Sequence, residues 1–176
     1  MTGQKHQKLD ISDVGLTELA RQTGEQLLHA GLMLATAESC TGGWVAKLVT
    51  DIEGSSHWFE RGFVTYTNDA KQELLGVGAD TLAQFGAVSE PTVQAMAAGA
   101  LAHSHADISL AITGIAGPGG GSSDKPVGLV WFAWAGLDQP VLSQSYIFDG
   151  DREQIRRQAV ATALLGVQNR IRAHAG

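Results

Sequence analysis

The stretch Ala37-Glu38-Ser39-Cys40-Thr41-Gly42-Gly43-Trp44 follows a short apolar run, residues 31–36, and precedes a segment whose apolar residues have helical spacing. This order predicts a buried strand, a tight turn and the start of a helix. The hydroxyls of Ser39 and Thr41 would lie at the carboxyl end of the strand. Unpaired N–H groups at the helix start, near Thr41 and Gly42, favour anions and developing oxyanions. The stretch indicates phosphate binding or nucleophilic acyl chemistry, against the plainer alternative of a helix cap with a tight turn.

Strand and helix patterns alternate along the rest of the chain. Strands are predicted over residues 32–37, 59–67, 107–113, 128–135 and 141–148, the last as an edge strand. Helices are predicted over residues 12–30, 42–50, 70–75, 81–85, 91–105 and 151–173. This alternation predicts an α/β fold, a three-layer α/β/α sandwich with a mixed central sheet. We expect a flexible tail over residues 1–11 and a single domain over residues 12–174.

Composition excludes several classes of protein. The chain has 176 residues, of which 44% are hydrophobic, and a formal net charge of −6, which argues against nucleic acid as a partner. No apolar run is long enough to span a bilayer, and the polar first residues do not resemble a signal peptide. Cys40 is the single cysteine, so no intrachain disulfide can form. These features predict a cytoplasmic protein with no membrane partner.

Low charge also bears on assembly. Charged residues make up 17% of the chain, and the helix predicted over residues 91–105 is rich in alanine and glycine, so something packs closely against it. Trp44 and Trp58 are candidates for exposed tryptophans. The helix and the low charge predict a homodimer or a larger homo-oligomer, whereas the two tryptophans would be explained by an oligomeric scaffold.

A second group of polar residues flanks the turn after the second strand. Tyr66 and Lys71 lie on either side of this turn. A lysine that is removed from water has a lowered pKa and can deprotonate a serine, as in Ser-Lys hydrolases. The alternative is a capped helix with a surface lysine. Cys40 is a further possible nucleophile, although no histidine lies in a supporting motif.

A glycine-rich loop follows the third strand and includes Thr113, Gly114 and Gly117. Glycines let a ligand approach the backbone, and open α/β sheets bind ligands at this edge. The loop lacks the Gly-Lys-Ser/Thr ending of a P-loop and the spacing of a dinucleotide fingerprint. It is therefore a candidate for binding a small anionic ligand, with a flexible surface loop as the alternative.

The remaining candidates for ligand or metal binding are three arginines of the last predicted helix and the histidines. Arg152 lies at a helix start, where its charge opposes the helix dipole, so the position suits holding an anion better than stabilising the helix. Arg156 and Arg157 are expected to be solvated. The six histidines have no metal-ligand spacing, so we predict no metal and no cofactor.

Five ordered motifs together resemble the carboxyl-terminal domain of the CinA competence/damage-inducible family, with similarity over about residues 12–172. They are Ala37-Glu38-Ser39-Cys40-Thr41-Gly42-Gly43, Gly62-Phe63-Val64-Thr65-Tyr66-Thr67-Asn68-Asp69-Ala70-Lys71, Gly86-Ala87-Val88-Ser89-Glu90, Thr113-Gly114-Ile115-Ala116-Gly117-Pro118-Gly119-Gly120 and Lys125-Pro126-Val127-Gly128-Leu129-Val130. The chain resembles the stand-alone form, without the amino-terminal molybdopterin-binding-like domain of longer members.

The resemblance implies an amidohydrolase of pyridine-nucleotide salvage. The implied reaction is hydrolysis of the carboxamide of nicotinamide mononucleotide, a small nucleotide, to nicotinate mononucleotide and ammonia. Carried onto this chain, the implied nucleophile is Ser39, its base is Lys71 and a supporting hydroxyl comes from Tyr66. Backbone N–H groups near Thr41 and Gly42 are expected to hold the oxyanion.

The rest of the nucleotide is expected to meet the glycine-rich loop and the last helix. Thr113, Gly114 and the glycines that follow, Gly117 among them, would hold the ribose or the phosphate, and Arg152 would pair with the phosphate. Two other hypotheses stay open at this stage. One is a non-catalytic nucleotide-binding module that regulates a partner, and the other is an oligomeric scaffold.

Overall fold

The computed structural model describes residues 9–175, so most of the tail predicted over residues 1–11 lies outside the described residues. Ile11, within the described part, packs against the core. The helices are α1 (Asp13–Ala30), α2 (Trp44–Thr50), α3 (Asn68–Leu75), α4 (Ala79–Phe85), α5 (Glu90–Ala102) and α6 (Arg152–Ala175). The strands are β1 (Leu34–Glu38), β2 (Phe59–Val64), β3 (Ile108–Gly114), β4 (Leu129–Gly136) and β5 (Gln139–Ile147).

Side-chain caps and glycines set the ends of these elements. The Ser12 hydroxyl accepts a hydrogen bond from the N–H of Gly15 at the start of α1, and Gly31 ends that helix with a φ of 67°. Strand β2 ends at Val64, three residues before the predicted end. The reason is that Thr67 caps α3, so the residues between them form the turn into that helix.

The five strands form one mixed sheet in the order β2-β1-β3-β4-β5. Strands β2, β1 and β3 are parallel, whereas β4 and β5 are antiparallel to their neighbours. The mixed sheet and the edge position of β5 confirm the sequence-based predictions. Because the carboxyl ends of parallel strands meet at one edge, the turns after β1, β2 and β3 lie together there.

Helices cover both faces of the sheet, which confirms the three-layer sandwich. Side chains of α1, α2 and α6 form one core with one face of the sheet, and those of α3, α4 and α5 form a second core with the other face. Strand β1 is buried along its whole length between these two cores. No helix within the described range is both long and apolar enough to cross a membrane.

The small residues of α5 and the residue Trp58 suggested contacts between subunits, but both pack against other parts of the same chain. The small residues of α5 allow close packing against α3, since a Cβ atom at Gly99 would overlap the carbonyl oxygen of Leu75. The expectation of an exposed Trp58 is wrong: this side chain is 3% exposed, because Gly24 of α1 leaves room for its ring. Trp44 is partly buried beneath two arginines. A homo-oligomer stays a prediction.

Candidate active site

The turn after β1 places Ser39 at the carboxyl edge of the sheet. The N–H of Ser39 donates to the carbonyl of Ile112 in β3 at 3.0 Å, which extends the parallel pairing by one residue. The N–H of Gly42 then donates to the carbonyl of Ser39 at 2.9 Å and closes a tight turn. The Ser39 side chain is fixed on this turn and is largely buried.

Lys71 reaches this serine from the first turn of α3. Its Nζ atom lies 3.1 Å from Oγ of Ser39 and 2.8 Å from the carbonyl oxygen of Thr65. The side chain is only 1% exposed, which excludes the alternative of a surface lysine. Burial lowers the pKa of Lys71, because an ammonium group loses its hydration there. The structure therefore pairs an alcohol with an amine that is biased towards its neutral form.

Cys40 is adjacent to Ser39 but is unsuited to act as the nucleophile. Burial, together with the nearby charge of Glu38, raises the pKa of the Cys40 thiol to about 12. Cysteine reacts as the thiolate, and almost none of it forms at neutral pH with such a pKa. Ser39 is therefore the better candidate of the two neighbours.

The start of α2 is occupied by a protein carboxylate. The side-chain oxygens of Glu38 accept hydrogen bonds from the N–H groups of Val45 and Ala46, at 3.0 and 2.9 Å. Burial raises the pKa of this carboxyl group. This corrects the expectation that free N–H groups at the helix start face a ligand, because Glu38 satisfies them.

The expectation that N–H groups near Thr41 and Gly42 hold the oxyanion needs a correction at Gly42. The N–H of Gly42 is bonded to Ser39, and neither Thr41 nor Gly42 lines the cavity beside Ser39. By contrast, the N–H groups of Cys40 and Thr41 have no acceptor among residues 9–175. These two groups are the available candidates for holding an oxyanion.

Arg156 was missed by the sequence-based interpretation, which expected it to be solvated. Its Nε donates to the carbonyl of Cys40 at 3.0 Å and its Nη2 donates to the carbonyl of Thr41 at 2.9 Å. Its guanidinium carbon also lies 5.0 Å from the centroid of the Trp44 ring. One signal was present: Arg156 follows Arg152 by four positions on the same helix, so both face the same side.

A cavity of about 200 Å³ opens beside Ser39. It is lined by Ser39, Cys40, Tyr66, Lys71, Ala87, Val88, Thr113, Gly114, Ala116 and Arg152. Thr113 and Gly114 line this cavity, and the Thr113 hydroxyl donates to the carbonyl of Ala87 at 2.8 Å. Part of the cavity wall is therefore the α4–α5 connection.

Arg152 joins two sides of the cavity entrance. Its Nη1 donates to the carbonyl of Gly117 at 2.7 Å, and its Nη2 donates to the Tyr66 hydroxyl at 3.0 Å. Gly117 has a φ of 75°, and a Cβ atom there would lie 2.5 Å from Val127. This part of the loop is therefore held in place. The structure brings Arg152, Tyr66 and Gly117 together, but the Tyr66 hydroxyl contacts Arg152 and not the Ser39–Lys71 pair.

The geometry supports proton transfer between an alcohol and an amine at the edge of a small cavity. One end of the cavity has the Ser39 hydroxyl and the Lys71 amine, and the entrance has the Arg152 guanidinium group, which has N–H donors left over for an anion. Over residues 9–175 no group of three or more histidine, cysteine, aspartate or glutamate residues is arranged to hold a metal ion. The arrangement is one that amide or ester hydrolysis through a serine requires.

The chain matches the family described as CinA C-terminal domain over residues 16–171. It is similar to nicotinamide-nucleotide amidohydrolase PncC of Escherichia coli (strain K12), with 56% identity over 154 residues that cover 88% of this chain and 93% of that protein. The PncC of Pseudomonas putida is 50% identical over 152 residues, or 86% of this chain and 94% of that protein. The crystal structure of competence/damage inducible protein CihA from Agrobacterium tumefaciens has a TM-score of 0.85 and 50% identity, covering 90% of this chain and 95% of that chain.

Proposed function

Since the chain belongs to the CinA C-terminal domain family, we propose that it is an amidohydrolase that converts nicotinamide mononucleotide to nicotinate mononucleotide and ammonia. The chain is 56% identical to a protein named nicotinamide-nucleotide amidohydrolase and spans 93% of its length, which supports the substrate. The observation that best supports a serine mechanism is that Nζ of the buried Lys71 lies 3.1 Å from Oγ of Ser39. The reaction belongs to pyridine-nucleotide salvage, in the cytoplasm.

The first half of the reaction forms an acyl enzyme. The neutral amine of Lys71 takes the proton of the Ser39 hydroxyl while Oγ attacks the carboxamide carbon. The carbonyl oxygen becomes an oxyanion, which accepts hydrogen bonds from the N–H groups of Cys40 and Thr41. Lys71, now an ammonium, gives its proton to the departing nitrogen, the C–N bond breaks, and ammonia leaves.

The second half releases the product. A water molecule transfers a proton to Lys71 and attacks the acyl carbon, so a second oxyanion forms in the same place. Oγ of Ser39 then leaves and takes the proton back from Lys71. The product carboxylic acid ionises, and Ser39 and Lys71 return to their starting states.

Binding of the nucleotide uses the entrance of the cavity. The nicotinamide ring occupies the cavity beside Ser39, and the ribose lies against Thr113 and Gly114. Arg152 holds the phosphate through its planar fork, because its contacts with the Gly117 carbonyl and the Tyr66 hydroxyl use two of its five N–H donors.

Ammonia release from nicotinamide mononucleotide tests this function. Ser39→Ala should lower kcat by a factor of about 10³ to 10⁶, the range for loss of a serine nucleophile that acts together with its base. Ser55→Ala is the matched control, because Ser55 is similarly buried and lies outside the cavity. An unchanged rate in Ser39→Ala removes the serine mechanism. A wild-type protein that binds the nucleotide without releasing ammonia is instead the non-catalytic module.

A further inference from the structure

We propose that Arg156 is a positioning residue of this reaction: it orients the peptide units of the turn so that the N–H groups of Cys40 and Thr41 face the reacting carboxamide oxygen. The inference rests on the proposed function for its chemistry. The orientation of the peptide units by Arg156 does not depend on that function, because it is argued from contacts within the chain.

The contacts of Arg156 act directly on two peptide units. A trans peptide unit points its C=O and its N–H in opposite directions. The bond from Arg156 to the Cys40 carbonyl therefore turns the N–H of Thr41 away from α6. The bond to the Thr41 carbonyl, which also accepts from the N–H of Trp44 at 3.1 Å, likewise turns the N–H of Gly42 away from the guanidinium group.

The peptide unit between Ser39 and Cys40 is oriented through the peptide unit between Thr41 and Gly42. The N–H of Gly42, set by the contact between Arg156 and Thr41, donates to the carbonyl of Ser39 at 2.9 Å. With this carbonyl held, the N–H of Cys40 points the other way. All three carbonyl groups of residues 39–41 are thus bonded within the protein, whereas the N–H groups of Cys40 and Thr41 have no acceptor in the described part of the chain.

An arginine suits this position because its N–H donors lie in one rigid plane and point in fixed, different directions. Two nitrogen atoms of one guanidinium group reach two successive carbonyls, which a lysine ammonium on a flexible stem cannot hold in the same way. The plane is also packed against Trp44, at 5.0 Å from the ring centroid. The neighbouring Ile155 and Ala159 are buried in the core, so α6 is a firm support for the side chain.

Arg157 provides a matched control on the same helix. It too lies over Trp44, at 5.3 Å from the ring centroid. Its N–H groups, however, bond to the carbonyl of Ile11 and to the carboxylates of Asp13 and Glu153, not to the turn. A general loss of packing or of positive charge at this face should affect both arginines, whereas loss of peptide orientation should affect Arg156 alone.

Steady-state ammonia release separates these cases. Arg156→Met should lower kcat by about 10²- to 10³-fold, as loss of an oxyanion donor does, with KM changed less than about threefold. Arg156→Lys should recover part of kcat, because one carbonyl regains a charged donor. Arg157→Met should keep kcat close to wild type. A wild-type kcat in Arg156→Met, or an equal loss in Arg157→Met, overturns the proposal.

Amide exchange measured by NMR gives a readout that does not need activity. In Arg156→Met the N–H of Gly42 should exchange faster with solvent, and the Cys40 and Thr41 amide resonances should shift, while amides in β3 stay unchanged. Unchanged turn amides overturn the proposal even when kcat falls. If the wild-type protein releases no ammonia, the proposed function fails by itself, and the exchange data still decide whether Arg156 orients the turn.

Discussion

Nζ of Lys71 lies 3.1 Å from Oγ of Ser39, although 32 positions separate the two residues in the chain. Ser39 follows the interior strand β1, and Lys71 lies in the helix that follows the edge strand β2. Parallel pairing of these two strands puts both connections at the same edge of the sheet. The contact is therefore a direct product of the topology, and the carbonyl of Thr65 holds the amine in place.

Activity should depend on the protonation state of Lys71. Burial lowers the pKa of this side chain from 10.5, and only the neutral amine accepts the Ser39 proton. We expect kcat/KM to fall as the pH decreases through the lowered pKa. Lys71→Met should lower kcat by about 10²- to 10⁴-fold, the usual contribution of a general base. Lys47→Met, at an exposed lysine paired with Asp51, is the control for loss of a lysine. A native rate and pH profile in Lys71→Met would remove this lysine as the base.

Stability should depend on pH through the same group and in the same direction as activity. A folded pKa below 10.5 means that, between the two pKa values, the unfolded chain binds more protons than the folded one. The free energy of unfolding of the wild type therefore rises with pH across this window. Lys71→Met lacks the titrating group, so its advantage over wild type should be largest below the folded pKa and shrink towards pH 10.5. Urea unfolding over a pH series measures this difference, and a difference that is constant with pH contradicts the assignment.

Arg152 should act mainly on substrate binding. Arg152→Ala removes a cation from the cavity entrance, and phosphate binding is equally strong in the ground state and the transition state. We expect KM to rise about 10- to 100-fold with a smaller change in kcat. Arg172→Ala is the control, since Arg172 is exposed near the end of α6 and bonds to Asn169. An unchanged KM in Arg152→Ala would place the phosphate elsewhere.

Close packing between α6 and β4 should make one glycine sensitive to substitution. Alanine at Gly166 should gain about 0.5–1 kcal/mol of helix stability. Its Cβ atom, however, would overlap the Trp134 ring, and overpacking costs about 1–3 kcal/mol. The indole cannot move freely, because its N–H donates to the carbonyl of Ala163 at 3.0 Å. We expect a net loss of about 1–2 kcal/mol in the free energy of unfolding by urea.

The control for this change is Gly119→Ala, where a Cβ atom would meet nothing within 4 Å. The same substitution in open space should change the free energy of unfolding by less than about 0.5 kcal/mol. Equal effects at the two glycines would mean that contact with Trp134 does not govern the loss at Gly166.

Local pattern was sufficient for most of the fold. The spacing of apolar residues predicted helices whose observed ends differ by a few residues, and the side chains of Ser12 and Ser89 cap two of these helices. Alternation of strands and helices predicted the layers, and placing Ser39 and Lys71 next to strand ends predicted that they share an edge. These inferences work because secondary structure and crossover topology depend on residues that are near each other in the chain.

Features that depend on distant partners were the ones that sequence patterns missed. Arg156 bonds to carbonyl groups 115 and 116 positions away, and no periodicity in the sequence encodes such a pair. The burial of Trp58 depends on Gly24 in another helix, and that of Lys71 on the elements packed around it.

The chain order of residues 37–44 was enough to locate a strand, a turn and a nucleophile. Folding determined which N–H groups remain free to stabilise an oxyanion, because the Glu38 carboxylate binds donors at the start of α2 and the Ser39 carbonyl binds the N–H of Gly42. The physical reason is that each N–H group has one proton to donate. Its availability therefore depends on every acceptor that packing brings within reach.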